Sequence, residues 1–146
     1  MRELVDYILY IADKDKIKVT QLQLHKVSYF ALGYLFRIGE QRLAEDLYAE
    51  EHFQAWTYGP VLPETYQRFR KYVSTPILDR GQESERLSTI ENFNNIIKNL
   101  MTHNVFDLVE RSHQHNFWAD REREVKKISD PLIQLCFATR KYIEMQ

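Results

Sequence analysis

The chain has 146 residues, 44% of them hydrophobic and 28% charged, a composition that argues against disorder and suits a single domain with a real core. Its 20 lysines and arginines against 21 aspartates and glutamates leave a formal net charge of −1, which supplies no overall field to attract nucleic acid or an acidic membrane. The single cysteine, Cys136, excludes an intrachain disulfide and a cysteine-rich zinc site and points to a reducing, cytoplasmic setting.

Leu4, Val5, Ile8, Leu9 and Ala12 recur at helical spacing and predict an amphipathic first helix near residues 2–13, without the apolar core of a signal peptide. Thr20 is placed to cap a second helix, because its hydroxyl can accept from an unpaired amide of the next turn. From Leu22 to Ile38 apolar residues cover almost the whole circumference, which predicts a central helix buried on several sides. Ser28, Gly33 and Arg37 interrupt its apolar run, which falls short of the ~20 residues of a membrane span. Gly39 stops this helix, and the acidic segment Gln41–Glu51 predicts a short exposed helix or turn.

Phe53 to Tyr66 gathers Trp56, Tyr58, Gly59, Pro60, Pro63 and Tyr66 into an aromatic elbow. Gly59 permits backbone angles closed to other residues, Pro60 fixes its own φ and Pro63 can begin a helix. Trp56 and Tyr58 are expected to pack beneath this elbow as core. Phe53–Trp56 predicts a brief extended segment. Tyr66, Phe69 and Val73 predict a third amphipathic helix, and the polar segment Asp79–Glu85 an exposed and flexible loop. Ser88-Thr89-Ile90-Glu91 has the form of a capping box, ahead of a helix burying Ile90, Phe93, Ile96, Ile97, Leu100 and Met101. A shorter helix then carries Phe106, Val109 and His113 on one face, Asn116-Phe117-Trp118 makes a second aromatic corner, and Asp130-Pro131 opens a closing helix. The fold class is therefore mainly α, a single compact domain over residues 1–146 with about six helices around the buried central helix, residues 20–38, and at most a very short strand near Phe53–Trp56.

Chemistry is sparse. His113-Gln114-His115 sends its imidazoles to different sides of a helix, and no His-Glu-x-x-His run, nucleophile elbow or glycine-rich phosphate loop is present, so no catalytic, cofactor or metal residues are assigned. Arg68, Arg70 and Lys71 beside Tyr66, Phe69 and Tyr72, and Arg121, Arg123, Lys126 and Lys127 beside Trp118, offer basic–aromatic clusters. The slightly negative net charge argues against nucleic acid as their partner, since phosphate neutralisation dominates that affinity. Lys26 is more informative. It lies on an apolar face of the central helix, where its amine must either snorkel to water or pair with a carboxylate or backbone carbonyls.

Three blocks together resemble the Panacea antitoxin domain, also described as SocA-like or phage-associated GepA-like. They are Leu22-Gln23-Leu24-His25-Lys26-Val27-Ser28-Tyr29-Phe30-Ala31-Leu32-Gly33-Tyr34, the elbow Ala55-Trp56-Thr57-Tyr58-Gly59-Pro60-Val61-Leu62-Pro63 with Tyr66, and Ser112-His113-Gln114-His115-Asn116-Phe117-Trp118. Ser28 stands where the family favours leucine, Leu32 where it has a glutamine-like residue, and Phe117 where proline precedes Trp118. The resemblance implies an α-helical, non-enzymatic, phage-associated antitoxin that silences a cognate toxin by direct protein contact. Its signature residues here are Lys26, Tyr29, Trp56, Tyr58, Gly59, Pro60, Tyr66, His113 and Trp118, read as scaffold. Partner contacts are then expected from the polar stretches Glu40–Glu51 and Asp79–Glu85. The alternatives are an adaptor handing a toxin or other client to a protease, or a phage-derived hydrolase or nucleic-acid binder; neither a cofactor nor a membrane is expected.

Overall fold

The computed structural model describes residues 1–56, 59–113 and 138–139. The elements run α1 (Arg2–Lys14), α2 (Gln21–Arg37), α3 (Gln41–Tyr48), β1 (Gln54–Trp56), β2 (Gly59–Val61), α4 (Pro63–Arg68), a 3₁₀ turn (Arg70–Tyr72), α5 (Glu85–Ser88), α6 (Phe93–Thr102) and α7 (Val105–His113). The fold is mainly helical, with one small two-stranded sheet among the described residues. None of the described helices is long and apolar enough to cross a membrane. Tyr58, Trp118, Cys136, the second aromatic corner and most of the closing helix lie outside the described residues, as does the side chain of His113.

α2 is the central element. Its start is the predicted one: the Gln23 amide donates to Thr20 Oγ1 and the Thr20 amide donates to Gln23 Oε1, a complete capping box. Every residue from Leu24 to Gly33 is buried, and the helix packs against α1, α3, β2, α6 and α7. α1 packs on it and buries Leu4, Val5, Ile8 and Leu9 in the shared core, and α6 adds Phe93, whose ring stacks on Tyr34 at 5.9 Å. Each such fully buried side chain contributes ~1.5–3 kcal/mol of apolar burial. The core is thus one layer of helices wrapped round α2.

The elbow is a β-hairpin as well as a corner. β1 and β2 are antiparallel, pairing Gln54 with Val61, Ala55 with Pro60 and Trp56 with Gly59. Pro60 has no N–H, so the Ala55–Pro60 pair is the non-hydrogen-bonded kind, and the main-chain groups of both residues point away from the hairpin. Gly59 enters β2 with φ 97°, a conformation that favours glycine.

Four sequence expectations are corrected. Trp56 is not core: 40% of it is exposed. The predicted capping box does not start a helix, because Ser88 Oγ donates back to the Glu85 carbonyl and Thr89 Oγ1 to the Arg86 carbonyl, which ends α5. Ser84 instead caps α5, accepting from the Leu87 amide, and Asn92 precedes α6 in the left-handed region. The third helix is shorter than its periodicity predicts. After Arg68 the chain tightens into the 3₁₀ turn and reverses at Val73, which is 76% exposed with φ 54° and ψ −114°. Phe106 is likewise exposed on α7, while Val109 is buried.

The segment from Asp79 to Ser84 is irregular but anchored, and Glu85 already begins α5. The Gln82 amide donates to the Asp6 carbonyl, Ser84 Oγ donates to Glu3, and Arg68 bridges Asp6 and Asp79. Gly81, at φ 64°, lies against the main chain of α1, where an added Cβ would overlap the Asp6 carbonyl oxygen and stand 2.6 Å from the Tyr10 nitrogen. Gly81→Ala should therefore destabilise the fold by ~2–4 kcal/mol, from left-handed strain plus forced separation of loop and helix. Urea denaturation measures this, and an unchanged midpoint would mean that the loop is not held against α1.

Candidate functional site

The first turns of α2 carry Gln21, His25 and Lys26, and their side chains hold the hairpin and the start of α4. Lys26 has no exposed surface, and its Nζ donates to the Pro60 carbonyl at 2.9 Å. That carbonyl is free to accept because its residue occupies the non-hydrogen-bonded position of the ladder. Of the alternatives open to a lysine on an apolar face, the backbone carbonyl is realised. Burial pulls the amine down to about 8 from its ordinary 10.5.

His25 is 2% exposed and engaged through both ring nitrogens. The Leu62 amide donates to Nδ1 at 3.2 Å, which assigns the ring proton to Nε2, where it donates to Gln21 Oε1 at 3.2 Å. Gln21 Nε2 then donates to the Tyr66 carbonyl at 3.0 Å. Burial first, and the neighbouring Lys26 second, hold the imidazole down to about 3, so it is neutral at physiological pH. Glu51 completes the junction. Thr65 donates to both its carboxylate oxygens, from the amide at 2.8 Å and the hydroxyl at 2.9 Å, supplying the cap to α4 that Leu62 cannot.

Over this polar network opens a groove of about 950 Å³. His25 and Gln21 lie at its polar floor, Leu22 and Val61 add apolar surface, and Trp56, Tyr66, Arg70 and Val73 stand around it. Trp56 and Tyr66 meet edge to face, with centroids 5.0 Å apart at 62°. The indole Nε1 donates to Gln54 Oε1 at 3.0 Å, so the polar tip of the tryptophan is satisfied within β1.

The structure therefore brings Lys26 together with the elbow residues Trp56, Gly59, Pro60 and Tyr66, distant from it in sequence, at the junction of α2, the hairpin and α4. Tyr29 lies farther along α2, buried edge-on against Phe53 at 5.2 Å, and its carbonyl accepts from Thr139. Gln21, His25 and Glu51 carry no individual signal in the sequence, whereas Arg70 stands out there only as part of a basic–aromatic cluster and Val73 only as part of a helical apolar face. The helical spacing of Gln21 and His25 was a usable signal; Glu51 meets Thr65 only through the tertiary path. Of the basic residues beside the elbow, Arg68 is committed to Asp6 at 2.7 Å and covers the Phe69 ring, whereas Arg70 has no ion pair among the described residues. Among those residues no group of three or more side chains is placed to hold a metal ion.

No protein-family model matches the chain, and no curated protein or solved structure matches it significantly.

The buried bases make the junction sensitive to pH in a defined direction. Between about 8 and 10.5 the folded Lys26 binds fewer protons than the unfolded one, so stability rises with pH across that window. Relative to Lys26→Met, the parent chain should gain on the order of 3 kcal/mol from the lower to the upper end. His25 acts likewise between about 3 and 6.5, costing stability as the pH falls through that range. Urea denaturation at a series of pH values tests both. Parallel profiles for parent and Lys26→Met would mean that the amine is hydrated.

Proposed function

We propose that this chain is the antitoxin of a toxin–antitoxin pair, a protein-binding module that neutralises its cognate toxin by direct contact at the groove between α2, the hairpin and α4. The family resemblance supplies the class of partner. The observation that carries the surface is Trp56, 40% exposed beside Tyr66 at the groove, with its N–H already satisfied. Large aromatic residues left standing over apolar clefts dominate binding energy at protein interfaces. The polar side chains beneath it are committed to structure: Lys26 to a carbonyl, His25 to an amide and a glutamine. They position the hairpin and leave contact to its exposed side, so we place the partner here rather than on Glu40–Glu51 or Asp79–Glu85.

Coexpression with each neighbouring reading frame of the native locus tests this reading. The expected result is one neighbour that arrests growth alone, is harmless with this chain and copurifies in fixed ratio. Trp56→Ala should weaken that complex by about 30-fold or more, a hot-spot loss of ~2 kcal/mol, while lowering unfolding free energy by less than the ~3–5 kcal/mol of a buried tryptophan. A neighbour that is rescued but disappears would make the chain an adaptor for proteolysis. A neighbour neutralised equally well by Trp56→Ala would move the interface elsewhere.

A further inference from the structure

We infer that the groove takes an extended segment of the partner protein, added as a third strand on β1, with an apolar side chain against Trp56 and a carboxylate on Arg70. This rests on the protein-binding reading above and specifies what is bound. The edge comes first. Ala55 is exposed, and its N–H and C=O point away from β2 because it faces Pro60 in the ladder. Neither group has a partner among the described residues. Two residues earlier the same edge is closed, since the Phe53 amide donates to Tyr48 Oη at 3.2 Å. On the other strand the corresponding carbonyl is taken by Lys26. The hairpin therefore offers one donor and one acceptor at a single position, beside the groove that Ala55 itself helps to line.

Charge selects the occupant. Among the described residues Arg70 is the only charged side chain lining the groove, given that burial keeps His25 neutral, and it is exposed and has no ion pair with any of them. A segment carrying aspartate or glutamate near its apolar anchor complements it, whereas a basic segment is repelled. Val73 stands near Arg70 in a strained state. The Thr75 amide donates to the Tyr72 carbonyl at 2.9 Å, so Val73 takes the second position of a tight turn with φ 54°, where glycine is the usual occupant. A β-branched residue is strained there, and it projects apolar surface at the groove.

The probe is a displayed library of random nine-residue peptides selected on the purified full chain. Enriched sequences should share an apolar residue with an aspartate or glutamate within two positions. Arg70→Glu should reverse that preference toward lysine and arginine, and Ala55→Pro, which removes the outward N–H, should lower retention of the enriched peptides at least tenfold. Both substitutions are on exposed residues, and unchanged thermal unfolding verifies that the variants fold. No enrichment, enrichment without carboxylates, or binding indifferent to both variants overturns the proposal. So does a concentration-dependent dimer abolished by Ala55→Pro, which would assign the edge to a second copy. Toxin rescue that survives both variants leaves the antitoxin reading intact and removes this surface. Acid-bearing peptides without any toxic neighbour do the reverse.

Discussion

The hydrogen bond from Lys26 to the Pro60 carbonyl is the constraint on which the rest of the site depends. A cation with no exposed surface is costly, and a single neutral carbonyl does not offset that cost as a carboxylate would. The arrangement persists because both ends are over-determined. Lys26 sits within a helix buried continuously from Leu24 to Gly33, and Pro60 sits in a ladder that turns its carbonyl toward α2. Proline at this position sacrifices no ladder bond and leaves an acceptor on the side where the lysine needs one. The same geometry turns the Ala55 groups outward, so the contact that fixes the hairpin also determines which edge stays free.

His25 and Glu51 convert that single tether into a fixed angle. His25 reaches the Leu62 amide immediately after β2, and Glu51 reaches Thr65 one turn into α4. Lys26, His25 and Glu51 thus hold three successive points along Pro60, Leu62 and Thr65. Polar networks of this kind are stable only when every member is satisfied, and here the imidazole has one acceptor and one donor role, each filled. Orientation comes from these bonds; the driving force comes from apolar burial around α2.

Local features were legible in the sequence where their physics is local. The Thr20 cap, the all-round burial of the central helix and the need of Lys26 for a partner follow from spacing and residue type, and each is realised. The identity of that partner, 34 residues away, depends on how the hairpin folds back and was not legible. Two serines, Ser84 and Ser88, stand near helix-start patterns, and only the direction in which each hydroxyl bonds separates the cap from the terminator. The polarity of Asp79–Glu85 is real, but it says nothing of the main-chain bond from Gln82 to Asp6 that fastens the loop. Val73 continues the apolar period of the preceding turn and yet lies outside, because periodicity does not register a reversal of the chain.

Trp56 was misplaced for a related reason, and its exposure follows from the size of the hairpin. Strands of three residues present too little area to cover an indole on both faces, and α4, at six residues, brings Tyr66 against it edge to face. A tryptophan so placed ordinarily keeps its N–H for water. Here Gln54, on the same side of β1, accepts that proton, so the exposed remainder of the ring is apolar and owes no further hydrogen bond. In the proposed binding mode a partner covering it desolvates carbon alone, which is the favourable part of association, and the polar demands of that contact fall instead on Ala55 and Arg70. That mode assigns apolar anchor and polar selectors to different residues of one hydrogen-bonded junction, so that affinity and partner choice would vary separately.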